Sequence, residues 1–385
     1  MVQLREVVVA GAGLTRFDIY DGNKGRPFKE CDELGSAAIL AALEEARMSI
    51  KEVQAAFCGK VYASTATGHN AISRIGMTGM PIVNLENACS SGGSAIRLAY
   101  EAIAREQYDV VLAFGAEEAP RGGMIKSTSW PMHERMMGFN VQPAAYAMGA
   151  VRYMAETGAT EEDFSLVTVK NRRHGALNPY ARFQKPVSLE EVTASRMIAK
   201  PLRLLHSCPL ADGAGAVILC AEHKLKSKAK KVTVAAAVLT TGTYGHEYGG
   251  GSLKIKTPHQ ITLCMEKAWA MSGMGPGDID VLQAYDTMSA GELWDIEKMD
   301  FCGKGEAPRL LREGYFDLGG KLPVNTDGGL LSRGHALGAT GIAQVIEIFR
   351  QIRGEAGKRQ VPGAKAGLAH AMGAGPNSSV VILKR

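Results

Sequence analysis

The sequence predicts an α/β fold built from two similar halves, in each of which helices alternate with the strands of a β-sheet. Short apolar runs typical of strands alternate with longer segments of helical periodicity. The same order of elements occurs twice along the 385 residues, a length that suits two domains. The chain is 46% hydrophobic and has 45 glycines but only 6% aromatic residues, which favours closely packed helix and sheet layers over a β-sandwich.

The first half starts with an apolar strand, Val7–Ala10, followed by a helix through residues 37–47 and a strand near residues 55–58. A turn around Cys89 then leads into a second helix, which is followed by a strand at residues 110–114. Because strands and helices alternate, we expect a sheet with helices layered on it.

The second half repeats this order. Its segments are a strand at 232–239, a helix at 261–271, a strand at 281–284, a helix at 342–353, and strands at 366–369 and 379–383. We place the boundary between the halves after residue 225, so that the N-terminal half is 1–225 and the C-terminal half is 226–385.

Residues 120–205 differ from both halves, because they are rich in Met, Arg and Pro and show no clear strand period. We interpret this segment as a partly helical insertion in the first half. Long insertions of this kind commonly carry binding residues, so we expect it to lie over the sheet edges where ligands bind.

Composition narrows the class of protein. The chain has 44 Lys and Arg against 39 Asp and Glu, a net charge of +5 without a long basic run, so nucleic-acid binding is not indicated. No apolar run reaches membrane-spanning length, and a strand-like segment follows the N-terminus at once. The seven cysteines lack CxxC spacing, which favours reduced thiols over disulfides or zinc ligands. We therefore expect a soluble cytoplasmic protein.

Cys89 is the leading candidate for a catalytic residue. It lies in the run Asn87-Ala88-Cys89-Ser90-Ser91-Gly92-Gly93, between an apolar segment and a strong helical pattern. The free backbone N–H groups and the positive dipole end of a helix N-terminus favour a thiolate there, and small neighbours leave the sulfur open to a substrate. The pattern predicts a nucleophile; the alternative is a thiol packed in a crowded turn.

Four motifs together resemble the thiolase superfamily over nearly the whole chain. They are Asn87-Ala88-Cys89-Ser90-Ser91-Gly92, Asn178-Pro179-Tyr180-Ala181, Leu210-Ala211-Asp212-Gly213-Ala214-Gly215-Ala216, and Gly334-His335-Ala336-Leu337-Gly338. The chain looks closest to the branch of sterol carrier protein thiolases and archaeal acetoacetyl-CoA thiolases. The resemblance implies two similar five-stranded mixed-sheet halves in α-β-α-β-α layers, with an inserted loop domain.

The resemblance also implies roles for three residues. Cys89 corresponds to the nucleophile that carries an acyl group as a thioester, and His335 corresponds to the histidine that takes the thiol proton. Gly373 corresponds to the glycine whose backbone N–H completes the oxyanion site, where a glycine lets the backbone approach the ligand closely. Without the resemblance, Gly373 would be an ordinary turn glycine.

The chain departs from the family at the second cysteine, which moves the α-proton. The two positions that hold this cysteine in the family are occupied here by Ala371 and Thr287, and Tyr285 replaces a family histidine. Two residues could take over the role. His370 titrates in the right range, although it could equally be a packing residue. Tyr285 could donate a hydrogen bond to a substrate oxygen or hold a water.

Coenzyme A needs positive charge for its phosphates. Arg172, Arg173 and His174, in the insertion, are candidate phosphate partners; the alternative is a solvated charged face. Met124, Met132, Met136 and Met137 could line an adaptable acyl pocket or simply pack in helices.

The resemblance predicts an acyl-CoA C-acyltransferase that cleaves a β-ketoacyl-CoA with CoA, or runs the reverse Claisen condensation. Loss of the second cysteine suggests an unusual substrate, aromatic or branched, such as benzoylsuccinyl-CoA. Coenzyme A would act as substrate, with no tightly bound cofactor and no metal. The alternatives are a retro-aldolase acting on a β-hydroxyacyl-CoA and a non-catalytic scaffold subunit. The family further implies a homodimer core and, in this branch, a small partner subunit with a zinc ribbon and an OB-fold.

Overall fold

A computed structural model describes residues 4–121, 132, 136–137, 141–226, 229–243, 259–374 and 376–385. Its strands are β1 (Val7–Leu14), β2 (Ala55–Gly59), β3 (Ile82–Leu85), β4 (Val110–Glu117), β5 (Met197–Ala199), β6 (Leu202–Arg203), β7 (Gly213–Ala221), β8 (Thr233–Thr241), β9 (Val281–Gln283), β10 (Ala366–Gly373) and β11 (Asn377–Lys384). Its helices are α1 (Cys31–Ala46), α2 (Thr67–Ser73), α3 (Ser91–Ala104), α4 (Gln142–Thr157), α5 (Glu161–Gly175), α6 (Leu189–Ala194), α7 (Gln260–Ser272), α8 (Ser289–Lys298), α9 (Ala307–Arg312), α10 (Gly329–Arg333) and α11 (Leu337–Arg353).

The two halves form mixed sheets, which confirms the predicted fold class. In the first half the order is β3-β2-β4-β7-β1, and in the second it is β8-β11-β10-β9. Parallel pairs join β2 to β3 and β4, and β9 to β10. The remaining neighbours within each half are antiparallel. The sheets meet where Val8 of β1 lies opposite Thr233 of β8.

The second half departs from the expected five strands. Beyond β9, the fifth position is held by a single bridge between Leu282 and Val324. Leu282 N–H donates to Pro323 O at 3.0 Å, and Asn325 N–H donates to Leu282 O at 2.8 Å. Pro323 has no N–H for a continued ladder, and the chain turns at Thr326, so this edge stays short.

Helices α3 and α11 lie between the two sheets. Helix α3 contacts β2 and β4 of its own half and β8 and β11 of the other, while α11 contacts β10 and also β4 and β7. Helices α1 and α7 cover the outer faces. Strand β1 follows this arrangement residue by residue, because Val7 and Val9 join the central core whereas Val8 joins the core under α1. The layers are therefore α-β-α-β-α.

The insertion packs against the second half. Helix α5 contacts α8 and α10, and α4 contacts α8, so one helix of the insertion packs on the short helix that precedes His335. Residues 122–131, 133–135 and 138–140 of the insertion lie outside the described residues. No helix in the described part of the chain is long and apolar enough to cross a membrane.

Candidate active site

The turn that carries Cys89 connects β3 to α3. Ala88 adopts a left-handed backbone conformation with φ of 49°, an uncommon state for a residue with a side chain. The turn is held by Ser91, whose hydroxyl accepts from Asn87 N–H at 2.8 Å. Helix α3 starts at Ser91 with Ser90 as its N-cap, so Cys89 lies just before the helix rather than opening it. The half-buried Cys89 therefore belongs to the turn, one residue before the N-cap of α3.

Glycines let α3 and α11 meet at backbone contact. A Cβ on Gly92 would lie 2.9 Å from Gly338 O, and a Cβ on Gly341 would lie 2.6 Å from Gly93 N. Both distances are too short for a Cβ atom, so the close approach of the helices requires glycine at both positions. The N-terminal ends of the two central helices therefore touch. This contact brings the Cys89 turn and the His335 segment together although they are far apart in sequence.

His335 presents one ring nitrogen as a base. Its Nδ1 lies 2.8 Å from Thr340 Oγ1, which itself lies 3.0 Å from Ala336 O. A hydroxyl has one hydrogen, so when Thr340 donates to Ala336 it must accept from Nδ1–H. This assigns the free lone pair to Nε2. Burial, with Arg333 nearby, lowers the pKa of His335 to about 3, so the imidazole stays neutral at physiological pH.

Tyr285 lies between His335 and Cys89. Its hydroxyl is 3.5 Å from His335 Nε2, the two rings meet edge to face at 5.9 Å, and Cys89 packs against the Tyr285 ring. Burial raises the pKa of the Cys89 thiol to about 11, and a hydrogen bond from the Tyr285 hydroxyl acts in the opposite direction. Three predicted residues thus form one cluster, with the tyrosine hydroxyl joining thiol and imidazole.

Gly373 borders the Cys89 turn from β10. A Cβ there would lie 2.2 Å from Asn87 O and 2.6 Å from Asn377 Oδ1, so a larger residue would displace the turn. Ser90 anchors the same place, since its hydroxyl donates to Asn377 Oδ1 at 2.6 Å. The structure thus sets Gly373 against the nucleophile turn, as an oxyanion role requires.

His370 is not brought to Cys89. Ala371 belongs to the cluster that Cys89 packs against, and adjacent residues of a strand face opposite sides of the sheet. His370 therefore faces α7, where its Nε2 lies 3.1 Å from Ser378 Oγ and the thiol of Cys264 donates to Ser378 O. Burial lowers the pKa of His370 to about 3. We assign it a packing role and leave it out of the chemistry.

The three candidate phosphate partners have different surroundings. His174 is 1% exposed and uses both ring nitrogens, with Nδ1 3.1 Å from Asn325 O and Nε2 accepting from Leu318 N–H at 3.0 Å. Arg173 is exposed and pairs with Asp317 at 2.6 Å. The Arg172 guanidinium lies 4.0 Å from the centre of the Phe183 ring. His174 therefore has no nitrogen left for a phosphate, and Arg173 is already paired. Among the described residues, Arg172 has no carboxylate in a salt bridge, but its side chain is buried against Phe183.

Further polar residues complete the surroundings of Tyr285. Asp286 accepts from Leu330 N–H at 2.7 Å and from Asn171 Nδ2 at 2.8 Å, so it orients the segment leading to His335. Thr287 donates to the Tyr146 hydroxyl at 2.9 Å. Sequence reasoning missed Tyr146, because a tyrosine on an insertion helix carries no motif.

The methionines proposed for an acyl pocket are not all described. Met132, Met136 and Met137 are exposed, and Met124 lies outside the described residues.

Sequence reasoning also missed Glu117. This fully buried carboxylate, at the end of β4, accepts backbone N–H groups from residues 61, 62 and 63 and from Gly338, all at 2.8–3.0 Å. It thereby holds the first turn of α11 against the first half. The signal was present, since an acidic residue that ends an apolar strand inside the fold needs partners.

We expect Glu117→Gln to destabilise the protein by about 2–4 kcal/mol, because a carboxamide offers one acceptor oxygen and turns an N–H₂ donor toward backbone donors. Urea unfolding at pH 8 measures the difference, with the exposed Glu118→Gln as the matched control. Equal stability of the two variants would contradict the assigned role.

Among the described residues, no group of three or more His, Cys, Asp or Glu side chains could hold a metal ion. All seven cysteines lie in the described part of the chain and none forms a disulfide.

Comparison with known proteins identifies the family. Residues 7–223 match the family described as "Thiolase, N-terminal domain", and residues 256–385 match "Thiolase C-terminal domain-like". The chain belongs to the thiolase family. The resemblance drawn from the motifs is thus confirmed, and the chain is a thiolase-type acyltransferase.

Curated relatives match over nearly the whole of this thiolase. Benzoylsuccinyl-CoA thiolase subunit BbsB of Thauera aromatica is 38% identical, covering 96% of this chain and 95% of the relative. Sterol carrier protein 2 of Bos taurus is 36% identical over 98% of this chain and 72% of its own length. Acetyl-CoA acetyltransferase of Methanothermobacter thermautotrophicus is 35% identical over 99% of this chain and 100% of its own.

Among solved structures, one described as "Ltp2-ChsH2(DUF35) aldolase" superposes with a TM-score of 0.85 at 27% identity. The match covers 100% of this chain and 98% of that one. Thiolase architecture is thus shared with a protein that is described as an aldolase.

Proposed function

We propose that this protein cleaves a β-ketoacyl-CoA with CoA through a thioester on Cys89, and that its acyl group is aromatic or branched. The observation that carries the proposal is the cluster of Cys89, Tyr285 and His335 at the touching ends of α3 and α11. A nucleophilic thiol, a hydroxyl and an unprotonated imidazole nitrogen are the groups that acyl transfer needs.

The residues have distinct roles in this reaction. The Cys89 sulfur attacks the β-carbonyl carbon, and the thiol proton passes to His335 Nε2 directly or through the Tyr285 hydroxyl. The backbone N–H of Gly373 stabilises the oxygen that becomes negative. The bond between the α- and β-carbons then breaks, and its electron pair leaves on the α-carbon of the departing acyl-CoA. CoA finally attacks the Cys89 thioester, regenerating the thiol. The reverse sequence is a Claisen condensation.

The substrate class rests on the relatives. The benzoylsuccinyl-CoA thiolase subunit shares 38% identity with this chain over almost its entire length. An aromatic or branched β-ketoacyl-CoA of that kind therefore fits best. CoA would be a substrate, with its phosphates near Arg172 at the end of α5.

The partners follow from the same relatives. That relative is a subunit, and the aldolase structure is described with a second component. We propose a homodimer core and a small additional subunit, which by resemblance would carry a zinc ribbon and an OB-fold.

Intact-mass measurement tests the thioester. The purified protein is incubated with acetyl-CoA, isobutyryl-CoA and benzoyl-CoA in turn, and peptide mapping locates any added acyl group. We expect an acyl-sized mass gain on the peptide that contains Cys89, largest with benzoyl-CoA or isobutyryl-CoA. No gain with any of the three would refute the thioester route, and a gain limited to acetyl-CoA would refute the substrate class.

A retro-aldol cleavage of a β-hydroxyacyl-CoA is the second candidate. Tyr285 favours it, because a tyrosine hydroxyl beside an imidazole can take a proton from a substrate hydroxyl, and the structurally similar aldolase supports the comparison. This reaction passes through no thioester. Cleavage of a β-hydroxyacyl-CoA without acylation of Cys89 would therefore select it over the thiolase reaction.

A further inference from the structure

A short extended segment, residues 207–211, runs through the site between two catalytic elements. On one side, Cys208 N–H donates to Thr287 O at 2.9 Å. On the other, His335 N–H donates to Pro209 O at 2.8 Å, and Ala211 N–H donates to His335 O at 3.0 Å. Cys208 is thus fixed by backbone bonds between the Tyr285 segment and His335.

The thiol of Cys208 lies in the same small cluster as the nucleophile. Cys89 and Cys208 both pack against the buried group formed by Tyr285, Leu330 and Ala371. Cys208 is half-buried, like Cys89, so neither thiol is sealed in the core. A second sulfur therefore reaches the reaction site from a part of the chain that the motifs did not identify.

The two positions that could have held the missing acid are unsuited to the task. Ala371 has no titratable group, and the Thr287 hydroxyl donates to the Tyr146 hydroxyl at 2.9 Å. Both positions adjoin Cys208, one through the shared cluster and the other through the backbone hydrogen bond. A thiol beside both positions can reach the same part of a bound substrate, although it comes from a different segment of the chain.

We propose that Cys208 is a further catalytic residue, which donates a proton to the α-carbon of the departing acyl-CoA. This inference rests on the proposed thiolase reaction. When the bond between the α- and β-carbons breaks, its electron pair remains on the α-carbon, which takes the Cys208 proton. The Cys208 thiolate then accepts the proton of the CoA thiol, whose sulfur attacks the Cys89 thioester. As CoA displaces the Cys89 sulfur, the protonated His335 returns its proton to it. Both cysteines are then thiols again, and no oxidant or reductant is required.

The surroundings of Cys208 suit an acid rather than a nucleophile. Burial, with the Asp286 carboxyl and Cys89 nearby, raises the pKa of Cys208 well above its ordinary value. The resting thiol therefore keeps its proton until a strongly basic carbanion forms beside it.

Hydrogen exchange at the α-carbon separates this role from acylation. Acetyl-CoA, propionyl-CoA and succinyl-CoA are incubated with the enzyme in D₂O, and deuterium at the α-carbon is measured. We expect Cys208→Ser to lower exchange by about 10²-fold or more and to leave the acylation rate of Cys89 within about threefold. Cys302→Ala, a half-buried cysteine elsewhere, is the matched control.

Three results would overturn the proposal: exchange at the wild-type rate in Cys208→Ser, equal loss of exchange and acylation, or equal loss of exchange in Cys302→Ala. Absence of acylation in the wild type would instead refute the thiolase reaction, so the two failures are distinguishable.

A second measurement uses folded protein with Cys208 in place, which guards against misfolding of the variant. With Cys89 protected as the acyl-enzyme in the Cys302→Ala background, methyl methanethiosulfonate should stop exchange, and dithiothreitol should restore it.

Discussion

Cys89→Ala is expected to lower the rate of thiolytic cleavage by about 10⁴-fold or more, because the variant lacks the thiol that forms the thioester, and the neighbouring Cys208 thiol keeps its proton. The loss should fall on kcat and remove the acyl-sized mass gain entirely. Since Cys89 packs against Tyr285 in a half-buried position, loss of its sulfur should leave the fold intact. Steady-state kinetics with the substrate identified by acylation, together with intact mass, measure both effects.

Cys31→Ala is the matched control, since this half-buried cysteine starts α1 on the outer face of the first half. It should retain wild-type cleavage. A Cys89→Ala variant that still cleaves a β-ketoacyl-CoA at the wild-type rate would remove the thioester from the mechanism. If the variant still cleaves a β-hydroxyacyl-CoA, the result would favour the retro-aldol reaction over thiolysis.

His335→Asn is expected to slow acylation of Cys89 by about 10²–10⁴-fold at pH 7, because the variant lacks the base that takes the thiol proton. The loss should shrink as the pH rises. The pKa of the Cys89 thiol is raised to about 11, so below that value the thiolate fraction grows about tenfold per pH unit without help from a base. Rapid-quench measurement of acyl-enzyme formation between pH 6 and 10 gives both profiles.

The wild-type profile provides a second check. The pKa of His335 is lowered to about 3, so the imidazole is already neutral at pH 6 and acylation should show no fall-off near pH 6.5. The exposed His223→Gln serves as control and should match the wild type. A His335→Asn deficit that is the same at pH 6 and pH 10 would contradict a base role and leave only a positioning role.

Several site residues could be predicted because their signal is local. Cys89 and His335 each lie in a Gly-rich turn that begins a helix, and this pattern is visible in a few consecutive letters. His370 could not be placed in this way. Residues 370 and 371 alternate on one strand, and only the packing of β10 decides which of them faces Cys89. His174 was misleading for a related reason, because its partners at 318 and 325 come from a distant loop.

In the second half, too, the sequence predicted part of the fold and the tertiary structure decided the rest. Alternating strands and helices predicted its layers correctly. Among the residues that the structure describes, the position beside β9 carries a single bridge instead of a fifth strand, because Pro323 has no N–H to continue the ladder and the chain turns at Thr326. The family resemblance predicts five strands in each half, but the local backbone decides where each strand ends in this chain.

By itself, the amino-acid sequence determined the α/β class, and its short motifs supported the prediction of Cys89 as nucleophile and His335 as its base. Only the tertiary structure decided which groups share the site. Tyr285 between Cys89 and His335, Glu117 at the start of α11, and Cys208 beside Thr287 are all contacts between distant parts of the chain. The approach of the Cys89 turn to the His335 segment likewise depends on the glycines that let α3 and α11 touch, and no spacing along the sequence encodes that approach.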